Sequence, residues 1–172
     1  MILTSHTILS VPNGQPIIVP KHIVDTGGNG HIRRASRNDI AYLVANLRNE
    51  DKEEIQASSG NTPEEGLEAA MSLEDPCWVG VCDDGPWVIW GNIGSSIWCL
   101  ATTQIDKHKS AFIRISIVWL ASLEFTKLNC FTDSRNKEHH RWLKATGFKR
   151  TGNPLFFHDP HVEFHEYVRI GV

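Results

Sequence analysis

Long apolar runs are missing from this chain. The longest strongly apolar stretch, Ile115 to Leu123, falls far short of the roughly 20 residues that a spanning helix needs, which argues against a membrane protein. The opening, MILTSHTILSVPNGQP, has neither a basic start nor a long apolar segment; no signal peptide is expected, and the expected location is the cytoplasm. Strong charge of one sign is also missing. A formal net charge of -3 speaks against a nucleic-acid surface spread over the molecule, since such domains are usually strongly basic, and leaves room only for a local basic patch. Cysteines are few, and Cys77, Cys82, Cys99 and Cys130 form no CxxC pair. Most stand in apolar runs that read as strands, so buried, reduced thiols are expected rather than disulfides. There is no P-loop, no Ser/His/Asp order, no internal repeat and no low-complexity segment.

What is present is the composition of an ordinary globular domain, 41% hydrophobic and 22% charged over 172 residues, enough for one sizeable core. Residues 1–30 read as an arm. Thr7–Val11 and Pro16–Pro20 flank Pro12-Asn13-Gly14-Gln15, a hairpin signal, and residues 25–30 read as a flexible connector. The domain proper, 31–172, opens with a strand over Ile32–Ala35 and a helix capped by Ser36 or Asn38, with Ile40, Leu43, Val44 and Leu47 at helical spacing. The charged stretch Glu50-Asp51-Lys52-Glu53-Glu54 reads first as a solvated helix face. Thr62-Pro63-Glu64-Glu65 starts another helix, which runs to about Leu73.

Three strands are predicted next, over Cys77–Cys82, Trp87–Gly91 and Ser95–Thr102, the first two joined by Asp83-Asp84-Gly85-Pro86. A helix from about Lys107 to Thr126 carries Phe112, Ile115, Val118, Trp119 and Leu123 and should be well buried. Leu128–Thr132 is a strand, Asn136–Thr146 a helix, and a hairpin closes the chain. In its second arm Val162, Phe164, Val168 and Ile170 alternate with Glu163, His165, Tyr167 and Arg169. This order predicts an α/β (α+β) domain with a mixed, mostly antiparallel sheet and helices on both faces.

Two segments carry a family resemblance. Ile32-Arg33-Arg34-Ala35-Ser36-Arg37-Asn38-Asp39 is similar to I-R-x-A-x-x-x-D, and Asn136-x-x-His139-x-x-Trp142-Leu143-x-x-x-Gly147-Phe148 is similar to N-x-x-A-x-x-[LF]-Y-x-x-x-G-F. On these the chain resembles the GNAT superfamily of N-acetyltransferases. Further runs, Leu47–Ile55, Trp98–Thr102 and His139–Lys144, resemble the acetyltransferase-like proteins of short-tailed bacteriophages, some of them internal virion proteins. The resemblance implies acetyl-CoA as cofactor, transfer of its acetyl group to an amine, and a host bacterial setting. The partner it implies is a host protein target; the oligomeric state, with a homodimer among the options, is left open by the sequence. It places the cofactor along Leu100, Ala101, Thr102, Gln104, Lys107, Lys109, Asn136 and Trp142, and acid–base chemistry on Glu54, His139 and Tyr167, with no metal.

The sequence departs from that pattern twice. The family's phosphate-binding turn, [RQ]-x-x-G-x-[GA], reads Gln104-Ile105-Asp106-Lys107-His108-Lys109 here. Lysines keep phosphates farther from the backbone than glycines do, and offer charge instead. At the position of the family's tyrosine, which protonates the departing thiolate, stands Leu143; Tyr167, His139 or a water would have to replace it. The alternative is a degenerate acetyltransferase fold that binds a host protein without catalysis, or serves as a virion component. His158, His161 and His165 near Asp159 and Glu163 lack the compact spacing of a zinc site. Most of the six tryptophans fit core positions, and Trp98 is placed to border an acyl site.

Overall fold

A computed structural model describes residues 6–10, 16–20, 30–73 and 75–171. β1 (His6–Ser10) and β2 (Pro16–Pro20) pair antiparallel as a separate two-stranded sheet, with His6 opposite Pro20. The turn expected at Pro12–Gln15 and residues 25–29 of the connector lie outside the described residues.

The main sheet follows from β3 (His31–Arg34), β4 (Trp78–Cys82), β5 (Gly85–Ile93), β6 (Ser96–Ala101), β7 (Lys127–Asp133), β8 (Lys149–Leu155) and β9 (Phe164–Ile170), in the order β3-β4-β5-β6-β7-β9-β8. All neighbours are antiparallel except β6 and β7. That parallel pair is joined by α4 (Ile105–Ser122), the crossover such a pair requires. The sheet is mixed and mostly antiparallel, as the sequence predicts.

The other helices are α1 (Arg37–Asn46), α2 (Asn49–Ser59), α3 (Pro63–Met71) and α5 (Lys137–Ala145). Local chemistry sets their ends. The Asp39 carboxylate accepts from the Ser36 N–H at 2.7 Å and from Arg33 at 2.6 and 2.8 Å, fixing the start of α1 against β3. Thr62 and Glu65 exchange hydrogen bonds around Pro63 at the start of α3. Gly60 (φ 76) closes α2 and Gly147 (φ 90) follows α5, both in the left-handed region, and Phe148 then enters the core.

One face of the sheet packs Trp87, Trp90, Phe112, Ile115, Trp119, Leu128 and Leu143 under α4 and α5; the other packs Ile40, Leu43, Leu67 and Ile89 under α1 and α3. Because both faces are covered, the alternation expected for β9 does not hold. Phe164 and Tyr167, an odd number of residues apart, are both buried, one beside Ala57 and the other in the larger core, while Ile170 at the strand's end is 67% exposed. Among the described residues no helix is long and apolar enough to cross a membrane.

Candidate active site

β6 and β7 touch through a single pair, Ser96 opposite Asn129, with the Asn129 N–H donating to Ser95 O at 3.0 Å. Beyond it the strands diverge. In a closed sheet the far end of β6 would bond to β7. Here the Ala101 N–H donates to Asp51 Oδ2 at 2.7 Å, and Ala101 O accepts from the Arg48 N–H at 3.0 Å. The start of α2 therefore satisfies the strand edge that β7 leaves open, as a buried backbone requires.

Side chains from four elements close the opening. Asp51, 0% exposed, also accepts from Arg48 Nη2 at 2.6 Å and Nε at 3.1 Å, and from Asn136 Nδ2 at 3.0 Å. Asn136 caps α5 by accepting from the His139 N–H and extends its amide to Glu54 Oε2 at 2.6 Å. Thr132 of β7 donates to the same oxygen at 3.3 Å. His139 lies between Glu54, with Nδ1 at 3.2 Å from Oε2, and Cys99 of β6, with Nε2 at 2.8 Å from Sγ. Burial works against charge on this imidazole, but the Cys99 sulfur and the Glu54 carboxylate outweigh it and hold the His139 pKa well above its ordinary value. Burial and the Asp51 carboxylate act in the same opposed way on Arg48, and the guanidinium pKa ends raised.

Two cavities meet at this chain of groups. The larger, about 630 Å³, is walled by α2 and α3 and lined by Leu67, Ala70, Trp98, Leu100 and Phe131. The smaller, about 280 Å³, lies by α4 and α5 and is lined by Arg48, Ala101, Lys109, Phe112, Arg141 and Trp142. Cys99 and His139 line both.

The residues expected from sequence divide accordingly. Glu54, Asn136 and His139 come together at the opening. Leu100 and Trp98 face the larger cavity; Ala101, Lys109 and Trp142 face the smaller, with Trp142 stacked on Phe112 at 5.4 Å and donating to Ser116 Oγ at 2.9 Å. Thr102 is buried, its hydroxyl toward Trp87 O. Gln104 precedes α4 and is held by Tyr42 (2.9 Å) and Cys82 (3.3 Å), beside neither cavity. The Lys107 side chain is 71% exposed, 3.9 Å from Asp84. Lys109 pairs with Asp106 at 2.8 Å and with Glu138 at 3.0 Å, and Glu138 pairs with Arg141 as well. Tyr167 lies outside both cavities; its hydroxyl meets His140 Nδ1 at 3.1 Å, and burial pushes its pKa up. Leu143 is 0% exposed.

The solvated reading of Glu50–Glu54 is corrected: Asp51, Glu54 and Ala57 form the buried face of α2. Their spacing is the signal, since i, i+3 and i+6 share one side of a helix. Cys99, Thr132 and Arg48 were not singled out by sequence. Ligand atoms of Asp51, Glu54 and His139 lie within 4.8 Å of one another, the one such grouping among the described residues. The Arg48 guanidinium already occupies both Asp51 oxygens, so a cation is present without a metal.

No protein-family model matches the sequence, and no curated protein matches it. Solved structures do resemble the fold. An N-acetyltransferase from Staphylococcus aureus Mu50 superposes with a TM-score of 0.60 at 15% identity, over 83% of this chain and 99% of that one. Spermidine N-acetyltransferase from Vibrio cholerae, solved with CoA and spermine, gives 0.56 at 12% over 82% and 95%. Aminoglycoside acetyltransferase AAC(6')-Ib, solved with coenzyme A and kanamycin, gives 0.58 at 14% over 83% and 95%. At these identities the likeness is one of fold, and the fold is that of the GNAT acetyltransferases.

Proposed function

On the premise of that fold, we propose that the chain transfers an acyl group from an acyl-coenzyme A thioester to an amine, the two reactants meeting at the opening between β6 and β7. The observation that carries this reading is the meeting of two cavities of unlike character at Cys99 and His139. The smaller suits a thioester arm: its floor is Phe112 and Trp142, and Lys109 and Arg141 at its edge suit anionic phosphates. The larger, mostly apolar and bordered by Glu54, suits an amine with an apolar body.

The residues supply what Leu143 cannot. His139, its imidazolium favoured by Glu54 and Cys99, is an acid within reach of a departing thiolate. Glu54 is the carboxylate nearest to that imidazole and borders the amine's cavity. Of the β6 amides, Ala101 N–H is committed to Asp51. Period-two alternation turns the Cys99 N–H to the same side, where it can polarise a thioester carbonyl.

The test is calorimetric titration with acetyl-CoA and CoA, followed by thioester consumption with spermine, kanamycin and the proteins of a bacterial lysate. The lysate is included because of the resemblance to phage proteins. Binding with amine-dependent consumption is expected; absence of both would overturn the reading. The second reading, a non-catalytic binder of a host protein, is favoured by Glu138, which already neutralises Lys109 and Arg141. It requires tight capture of one host protein with no consumption of thioester.

A further inference from the structure

Each of the four cysteines has a different neighbour. Cys77 Sγ points to Ala70 O, Cys130 Sγ to Phe131 O, and Cys82 Sγ to Gly85 O and the Gln104 amide oxygen. Cys99 alone faces an imidazole, at 2.8 Å from His139 Nε2. The other ring nitrogen, Nδ1, faces Glu54 Oε2 at 3.2 Å, and Glu54 is in turn held by Asn136 and Thr132. A nucleophile, a base within hydrogen-bond reach of it and a third group orienting that base are the arrangement that activates a thiol. Cys130 provides the contrast. It also lines the larger cavity, but burial outweighs the nearby His139 and raises its pKa, and its sulfur points to Phe131 O rather than to a ring nitrogen.

The position of Cys99 carries the second part of the argument. It lines both cavities, so its sulfur stands between the place suited to the thioester and the place suited to the amine. We propose that Cys99 is a covalent relay: it takes the acyl group from the thioester on the α4–α5 side and delivers it to the amine on the α2–α3 side, with His139 as the proton carrier and Glu54 holding the imidazole. The proposal rests on the acyltransferase reading and replaces direct attack by two displacements. In the first, the Cys99 sulfur attacks the thioester carbonyl as its proton passes to His139. The carbon–sulfur bond to coenzyme A breaks, and His139 gives the proton to the departing thiolate, which leaves as free CoA. In the second, the amine nitrogen attacks the acyl-Cys99 carbonyl and His139 accepts a proton from it. The bond to Cys99 breaks, the amide is released, and the thiol–imidazole pair is restored. No oxidant or further reactant is needed.

The experiment uses the full chain with two acyl donors and no amine: acetyl-CoA, and p-nitrophenyl acetate, which needs no coenzyme site. After an acid quench, intact mass and peptide mapping are expected to find one acetyl group on Cys99. Hydroxylamine should remove it, and CoA or nitrophenolate should be released in equal amount. Adding spermine or kanamycin should clear the label. His139→Gln should slow acylation by roughly 100-fold or more, as loss of a general base does. Cys99→Ala should take no label, with near-ultraviolet circular dichroism checking its fold; if it does not fold, the peptide map of the unaltered protein decides. Absence of label on Cys99 with both donors overturns the relay. If amine-dependent consumption of acetyl-CoA continues at the same time, transfer is direct and the acyltransferase reading stands. Label from p-nitrophenyl acetate with no binding of acetyl-CoA supports the nucleophile and sinks the coenzyme reading instead.

Discussion

His139 is a group whose charged form the fold favours against burial. In an unfolded chain an imidazole titrates near 6.5; in the folded protein Cys99 and Glu54 outweigh burial and raise that value well above it. The stability this contributes is fully present below the unfolded value and is lost as pH rises through the folded one. Thermal unfolding should therefore fall in temperature as pH increases above neutrality, and His139→Gln should flatten that dependence within the same window. An unchanged slope in the variant would mean that other groups set the alkaline limit. Asp51 has the opposite role, as the anion for a nearly buried cation. Asp51→Asn keeps the shape but leaves the Arg48 guanidinium, 12% exposed, without its charge partner. Removing one member of a buried pair costs about 3–5 kcal/mol, so a large drop in the urea midpoint is expected, and a change below about 1 kcal/mol would show that the pair is easily replaced.

The two lysines near the start of α4 are not equivalent. Lys109 lines the smaller cavity and shares Glu138 with Arg141, whereas Lys107 points to solvent beside Asp84. Lys109→Glu should weaken coenzyme binding about 10-fold or more, the worth of a hydrogen bond to a charged group, while Lys107→Glu should change it little; calorimetry on both variants checks this, and equal effects would refute the placement. Helix α5 was the most legible element in the sequence. Its cap Asn136, its stop Gly147 and the inward Phe148 stand in fixed register, and local rules suffice to place them. The site was less legible, because its parts are remote in sequence: Asn136 is 85 residues from Asp51, and Cys99 is 40 residues from His139. A helix reading of α2 was available, but the acidic residues at its start suggested a wet face. The open edge of β6, with an amide to satisfy, and the Arg48 guanidinium give Asp51 its reason to be buried. Tyr167, expected on the polar side of β9, is buried for a related reason. The alternation in β9 assumes one dry face, whereas this sheet has two.

At the scale of the whole molecule, the main sheet is two blocks, β3 to β6 and β7 to β8, joined across the middle by one residue pair. What else holds them together there is the polar chain from Arg48 and Asp51 through Asn136, Glu54 and His139 to Cys99, together with α4, which packs across both. A ligand seated in the smaller cavity touches β6, α4 and α5 at once, so its binding free energy acts directly on the least paired part of the sheet. Because it binds the folded chain and finds no such site in the unfolded one, acetyl-CoA at 100 times its Kd should add about 2.7 kcal/mol. For a chain of this size that corresponds to a rise in Tm of roughly 5–10 °C. Lys109→Glu at the same ligand concentration should show a smaller rise, since its Kd is weaker, while its Tm without ligand should move little because Lys109 is part-exposed and its ion pairs are of the surface kind. Thermal scans of both proteins over a range of acetyl-CoA concentrations measure the two effects separately. No concentration-dependent shift in the unaltered protein would mean that the opening between β6 and β7 does not admit the coenzyme, whatever the fold it shares.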